Sequence, residues 1–163
     1  MRSNRRFSRQ RAPRLALPPE VVQPRDTHRS LPLALVRARE AVMQRFRPML
    51  AARRVTEQQW RAIRILGEAG PLDATELCKR CCLLNPSMTR IIRALLRRGL
   101  ITRAGDKGDR RRTILALSSK AQILLTKVTP ESRKVYQQLE ADFGKQWLER
   151  LLDDLDILAG SKR

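Results

Sequence analysis

The chain has 163 residues, with 35 Lys and Arg against 16 Asp and Glu and a formal net charge of +19, so it has room for one domain and carries the charge of a polyanion-binding protein. No apolar run approaches the roughly 18 residues that span a bilayer. The basic N-terminus is cut by prolines and lacks the apolar segment of a signal peptide, so the expected compartment is the cytoplasm and no membrane partner is expected. A single histidine, no G-x-S-x-G, no phosphate-binding glycine loop and no carboxylate cluster outside the C-terminal helix leave nothing from which to build an active site, so neither enzyme activity nor a cofactor is expected.

Residues 1–29 carry eight arginines against Glu20 and Asp26, with prolines at 13, 18, 19 and 24 and no structural period. That pattern predicts a disordered arm, which either adds nonspecific DNA affinity or is only a solvated tail. The ordered domain is expected from about residue 30. Leu35, Val42, Phe46 and Met49 recur at helical spacing, with Arg39 and Met43 beside them and Pro48 near the helix end. Thr56 and Gln59 have the spacing of a capping box, and Val55 and Trp60 occupy the staple positions of the helix that follows. Asp73, Glu76, Leu72 and Leu77 repeat the pattern and open a short helix to about Arg80. Cys81 to Leu84 then form a connection of helix-turn-helix length.

The stretch from Asn85 to Ser118, NPSMTRIIRALLRRGLITRAGDKGDRRRTILALS, is the most informative in the chain. A helix from Pro86 to Arg98 places Met88, Ile91, Ile92, Leu95 and Leu96 in one stripe and Arg90, Arg93 and Arg97 opposite. Asn85 is the expected N-cap, Pro86 the first helical residue and Gly99 the terminator. Leu100–Arg103 and Arg112–Leu117 alternate as strands around AGDKGDRR, making a wing. The segment holds nine basic and two acidic residues, whereas residues 131–163 hold six and seven, so the positive field is local. An ordinary surface helix with a solvated basic face would not need that concentration. An RNA-binding module would normally interleave aromatics, and none occurs from Asn85 to Ser118. In a helix-turn-helix the start of the second helix meets base edges, here Pro86, Ser87, Thr89 and Arg90.

Ser118 can cap a further helix bearing Ile123, Leu124, Leu125 and Val128, continuing past Pro130 toward Asp142 until Gly144 breaks it. The last helix puts Trp147, Leu151, Leu155 and Leu158 on one stripe, widened by Leu148 and Leu152. These apolar faces either fold back on the chain's own core or pair across a two-fold axis, and helix-turn-helix geometry favours the dimer.

This order of elements, with the capped TEQQW helix, NPSMTRIIRALLRRGLITR and DRRRTILALS, resembles the MarR family of winged-helix repressors over about residues 30–160. Asp109 and Arg111 match the family's D-x-R wing pattern, and Leu117–Ser118 its strand exit. AREAVMQRFRP at 38–48 and TEQQWR at 56–61 resemble the branch that represses aromatic-acid catabolism. The basic arm, and Ala121 where glycine is common, depart from the family pattern. The resemblance implies a mainly α fold with a small β wing, in which the winged helix-turn-helix spans about 56–118 and a helical dimerisation region is built from about 31–50 and 119–159. It also implies a homodimer on a pseudo-palindromic double-stranded DNA operator, released by a small aromatic carboxylic acid of the hydroxyphenylacetate or hydroxynicotinate kind.

Carried over by position, it assigns Ser87, Thr89 and Arg90 to the major groove, Arg93 to the backbone and Arg110 and Arg111 to the minor groove or its edge, with Arg97 on the same outward side. Asp109 is expected to orient a wing arginine, and a purely structural salt bridge is the other reading of Arg111. For the effector, Met43, Phe46 and Trp60 offer apolar and aromatic walls, Arg39 and Arg61 a guanidinium, and His28 a hydrogen bond if the arm folds over. The competing reading makes the aromatics core and pairs the arginines with Glu40 or Glu57. Cys78, Cys81 and Cys82 lack the fourth ligand of a zinc site, so no metal is expected. They read either as small packing residues or as a redox sensor activated by Lys79 and Arg80, which leaves a thiol-sensing regulator as one alternative function. An effector-independent nucleoid-type DNA binder is the other.

Overall fold

The computed structural model describes residues 29–105 and 113–160. The elements are α1 (Leu31–Ala51), α2 (Glu57–Ala69), β1 (Leu72–Asp73), α3 (Ala74–Arg80), α4 (Asn85–Arg97), β2 (Ile101–Gly105), β3 (Thr113–Leu117), α5 (Ser119–Phe143) and α6 (Lys145–Leu158). The fold is therefore mainly helical with a small antiparallel sheet. No helix among the described residues is long and apolar enough to cross a membrane. The chain divides after Arg39 into two units. In the first, α1 begins where the Ala34 N–H donates to the Ser30 carbonyl at 2.9 Å. The second, from Glu40 on, holds the remaining elements.

The predicted capping box of α2 is found in full: the Thr56 hydroxyl accepts from the Gln59 N–H and the Gln59 side chain accepts from the Thr56 N–H, both at 3.2 Å. At α3 only half of that pattern forms. Asp73 accepts from the Glu76 N–H at 2.8 Å, while the Glu76 carboxylate turns forward to Arg80, where an opposite charge lies one turn away.

The start of α4 differs from the sequence expectation. Leu84 is the N-cap, with no side-chain cap bond, so Asn85 is the first helical residue and Pro86 the second. The preceding turn explains the shift. Cys82 adopts a left-handed φ of 49° and the Leu83 N–H returns to the Cys78 carbonyl, so the chain is already extended at Leu84, whose carbonyl takes the first helical bond from Met88. Proline tolerates either of the first two positions because neither amide has an intrahelical acceptor. The C-terminus follows expectation. Gly99, with φ 63°, allows its own N–H to reach Leu96 and the Leu100 N–H to reach Leu95, the paired bonds of a Schellman motif.

β3 is the central strand of the order β1-β3-β2, with Ile101 opposite Leu117 and Leu72 opposite Leu115. β1 was not predicted, because two residues carry no period, and it exists by pairing along the second edge of β3. Ile63 and Leu66 of α2, Leu77 of α3, Met88 and Leu95 of α4, Leu115 of β3 and Val128 of α5 fill the core. Each contributes about 1.5–3 kcal/mol of burial. Ser118 joins the wing to the next helix, its hydroxyl donating to the Gly99 carbonyl at 2.7 Å and accepting from the Ala121 N–H at 3.2 Å. α5 continues through Pro130 and stops at Gly144, φ 86°. α6 has no buried residue.

Candidate nucleic-acid interface and the adjoining cavity

The amphipathic register of α4 turns Met88, Ile92 and Leu95 into the core and leaves Pro86, Thr89, Arg90, Arg93 and Arg97 exposed, with Ser87 half-buried. Thr89, Arg93 and Arg97 follow one another a turn apart. With Ala74, Ile92, Leu96 and Arg103 of β2 they line a surface groove of about 480 Å³. Arg103 was not singled out from sequence, although its place on the strand leaving the reading helix is a usable signal. The Thr89 hydroxyl donates to the Asn85 carbonyl at 3.1 Å, which leaves its oxygen able to accept a further hydrogen bond. Arg90, Arg93, Arg97 and Arg103 carry no acidic partner among the described residues, so their charge is available to phosphates. Arg98 is different. Its guanidinium donates to the carbonyls of Arg54 at 2.7 Å and Arg53 at 3.1 Å, clamping the C-terminal end of α4 to the α1–α2 turn. The wing residues Asp109, Arg110 and Arg111, and His28 of the arm, lie outside the described residues.

α1, α2 and α5 form a second hollow of about 310 Å³. Met43, Phe46, Trp60 and Arg61, all expected around an effector, line it together with Val42, Glu57, Arg64, Ile65, Glu68 and Tyr136. The Phe46 and Tyr136 rings meet edge to face with centroids 5.4 Å apart. Arg39 is exposed on α1 in the first unit. Glu40 and Glu57 both pair with Arg47, each at 2.7 Å, a partner the sequence did not suggest. Arg64 pairs with Glu68, and that hydrogen bond raises its pKa above the usual guanidinium value. Arg61 has no ion pair among the described residues, and its Nη1 donates to the Cys81 carbonyl at 2.7 Å. Arg64 and Tyr136 were missed. Arg64 follows Trp60 by one turn and was within reach of a helical-face argument, whereas Tyr136 sits on α5, far away in sequence. A further hollow of about 300 Å³ shares Trp60, Arg64 and Glu68 and reaches Thr129 and Ser132.

Of the three thiols, Cys78 is buried and donates to the Leu83 carbonyl at 2.9 Å. Burial pushes Cys81 up to about 11, against the lowering influence of the Arg61 charge. Cys82 alone is exposed. An alkylating reagent at neutral pH is therefore expected to label one thiol, Cys82, in the folded protein and three in denaturant, read by mass spectrometry. Rapid labelling of Cys81 in the folded state would contradict this placement. The sign follows from the neutral form being favoured on folding: the contribution of Cys81 to stability is complete below its unfolded value near 9 and is lost as pH rises toward 11.

Comparison with known proteins matches residues 55–113, from the start of α2 to the start of β3, to the MarR family. The homoprotocatechuate degradative operon repressor of Escherichia coli is 37% identical over 139 residues, covering 83% of this chain and 94% of that protein. The crystal structure of NadR in complex with 4-hydroxyphenylacetate superimposes with a TM-score of 0.75 at 36% identity, covering 86% of this chain and 99% of NadR. The transcriptional repressor CouR, bound to a 23-mer DNA duplex, gives a TM-score of 0.73 at 28% identity over 80% of this chain and 92% of CouR. A winged helix-turn-helix with a basic reading face, aligned with these proteins over nearly their whole lengths, places the chain in the MarR family, to which it belongs.

Proposed function

We propose that this protein is a homodimeric transcriptional repressor that binds a pseudo-palindromic operator and is released from it by a small aromatic carboxylic acid. Ser87, Thr89 and Arg90 read base edges. Arg93, Arg97 and Arg103 hold phosphates, and the wing arginines Arg110 and Arg111 reach the minor groove. The unburied apolar face of α6 supports the dimer.

The observation that carries the effector reading is the composition of the α1–α2–α5 cavity. Phe46, Trp60 and Tyr136 supply aromatic walls, and two guanidiniums, Arg61 and Arg64, share the space. Arg61 has no carboxylate partner among the described residues, so a ligand carboxylate compensates a half-buried charge. Glu57, at the opposite polarity, accepts from a ring hydroxyl. A hydroxylated phenylacetate or nicotinate fits both demands, in line with the ligand seen in NadR.

Calorimetry with 4-hydroxyphenylacetate and 6-hydroxynicotinate tests this. A ligand that weakens DNA binding must itself bind the free protein more tightly than the DNA complex by the same factor, ordinarily about 5–150-fold. Arg64→Ala is expected to weaken ligand binding at least about tenfold while leaving DNA binding in place. Equal ligand affinity for the two forms excludes induction by this route.

A further inference from the structure

We infer that Arg61 transmits occupancy of the cavity to the reading helix, by exchanging the Cys81 carbonyl for the carboxylate of the effector. The inference rests on the effector reading above and adds the device by which a bound acid reaches the DNA-contacting residues.

Arg61 belongs to two places at once. It lines the cavity, and its Nη1 donates to the carbonyl of Cys81 at 2.7 Å. Cys81 is the C-cap of α3 and opens the turn that aims α4. That turn is unusual, since its next residue, Cys82, takes a left-handed φ of 49° without being glycine, a conformation that persists only where surrounding contacts enforce it. The turn is held by the burial of Cys78 and Cys81 in the core, by the Cys81 N–H on the Leu77 carbonyl at 2.9 Å and by further hydrogen bonds. The Cys82 N–H reaches the Lys79 carbonyl at 3.0 Å, the Leu83 N–H reaches the Cys78 carbonyl at 3.2 Å, and the Cys78 thiol donates to the Leu83 carbonyl at 2.9 Å. Arg61 supplies the one charged donor among them.

A guanidinium takes a carboxylate through two parallel N–H bonds, each about twice as strong as one to a neutral carbonyl, and a pair that includes Nη1 releases the Cys81 carbonyl. An acid in the cavity therefore draws Arg61 away from Cys81. Arg64, held by Glu68, has no such link to the turn. The other end of α4 remains fixed by Arg98 on the Arg53 and Arg54 carbonyls. Loosening the turn thus displaces the N-terminal residues of α4 most, and these are the residues assigned to base edges.

The test uses the full-length protein, a DNA fragment from its own locus that the wild type binds, and 4-hydroxyphenylacetate and 6-hydroxynicotinate as probes. Saturating acid is expected to weaken wild-type DNA binding about tenfold or more. Arg61→Met should bind DNA more weakly than wild type without ligand, and at saturating ligand should change by less than about twofold. Arg64→Met should need more ligand yet show the full wild-type change at saturation. An Arg61→Met protein that retains the wild-type change overturns the inference while leaving the effector reading intact. A wild type that ignores both acids overturns the effector reading, and this inference with it. Amide hydrogen exchange on the wild type provides a readout that needs no variant: saturating acid should speed exchange at Cys82 and Leu83, and unchanged or slower exchange there rejects transmission through this turn.

Discussion

Leu155→Glu combined with Leu158→Glu is expected to yield a monomer whose affinity for a two-half-site operator is lower by about 100-fold or more. The stripe they sit on is amphipathic by sequence, yet no residue of α6 is buried, and Trp147, Leu152 and Leu158 are 45%, 47% and 55% exposed. An apolar run left uncovered within one chain normally marks a contact with a partner. Two carboxylates placed in that contact must be desolvated without a counter-charge, a cost of several kcal/mol in an interface of this kind. Each monomer then reads one half-site, and the gain from holding a second reading head nearby, of order 10²–10⁴ in apparent affinity, is lost. Sedimentation and DNA titration measure the two effects separately. A wild type that sediments as a monomer, or a double variant that remains dimeric, would remove α6 from the interface.

Arg90→Ala is expected to cost about 1–3 kcal/mol of discrimination between operator and random DNA, a factor of about 5–150, with random-sequence affinity changed far less. Arg90 is exposed in the first half of α4, on the side away from Met88, Ile92 and Leu95, and has no acidic partner among the described residues to withhold it from a guanine edge. Arg97, two turns further along, is the contrasting case. As a phosphate contact its loss should weaken operator and random DNA alike and lower the salt dependence by about one unit of slope. Equal weakening of both DNAs by Arg90→Ala would reassign that residue to the backbone and shift the reading positions toward Ser87 and Thr89.

Several parts of this molecule are local problems with local answers. The Thr56–Gln59 box, the Asp73 and Ser118 caps and the Gly99 terminus each involve groups within five residues of one another, and the structure contains all of them. The amphipathic register of α4 is likewise a property of 13 consecutive residues, so the division into buried Met88, Ile92 and Leu95 and outward Arg90, Arg93 and Arg97 was legible without coordinates. The same locality explains the one-residue error at the start of that helix. Asn85 has the better capping side chain, but the backbone of the preceding turn had already committed the Leu84 carbonyl.

What sequence by itself determined, then, is the chain of helix starts and stops, the polarity of the reading helix and the concentration of charge around it, because caps, periodicity and charge act over a few residues. The tertiary structure alone decided that Tyr136 faces Phe46, that Arg98 clamps the α1–α2 turn rather than facing outward with its neighbours, and that β3 gains a second edge partner in Leu72–Asp73. It also decided that Arg61 spans from the cavity to the Cys81 carbonyl. A guanidinium on an exposed-looking helix face has many acceptors within reach of its flexible stem. Which one it takes depends on the packing that brings distant backbone beside it, and no short-range pattern in the sequence encodes that choice.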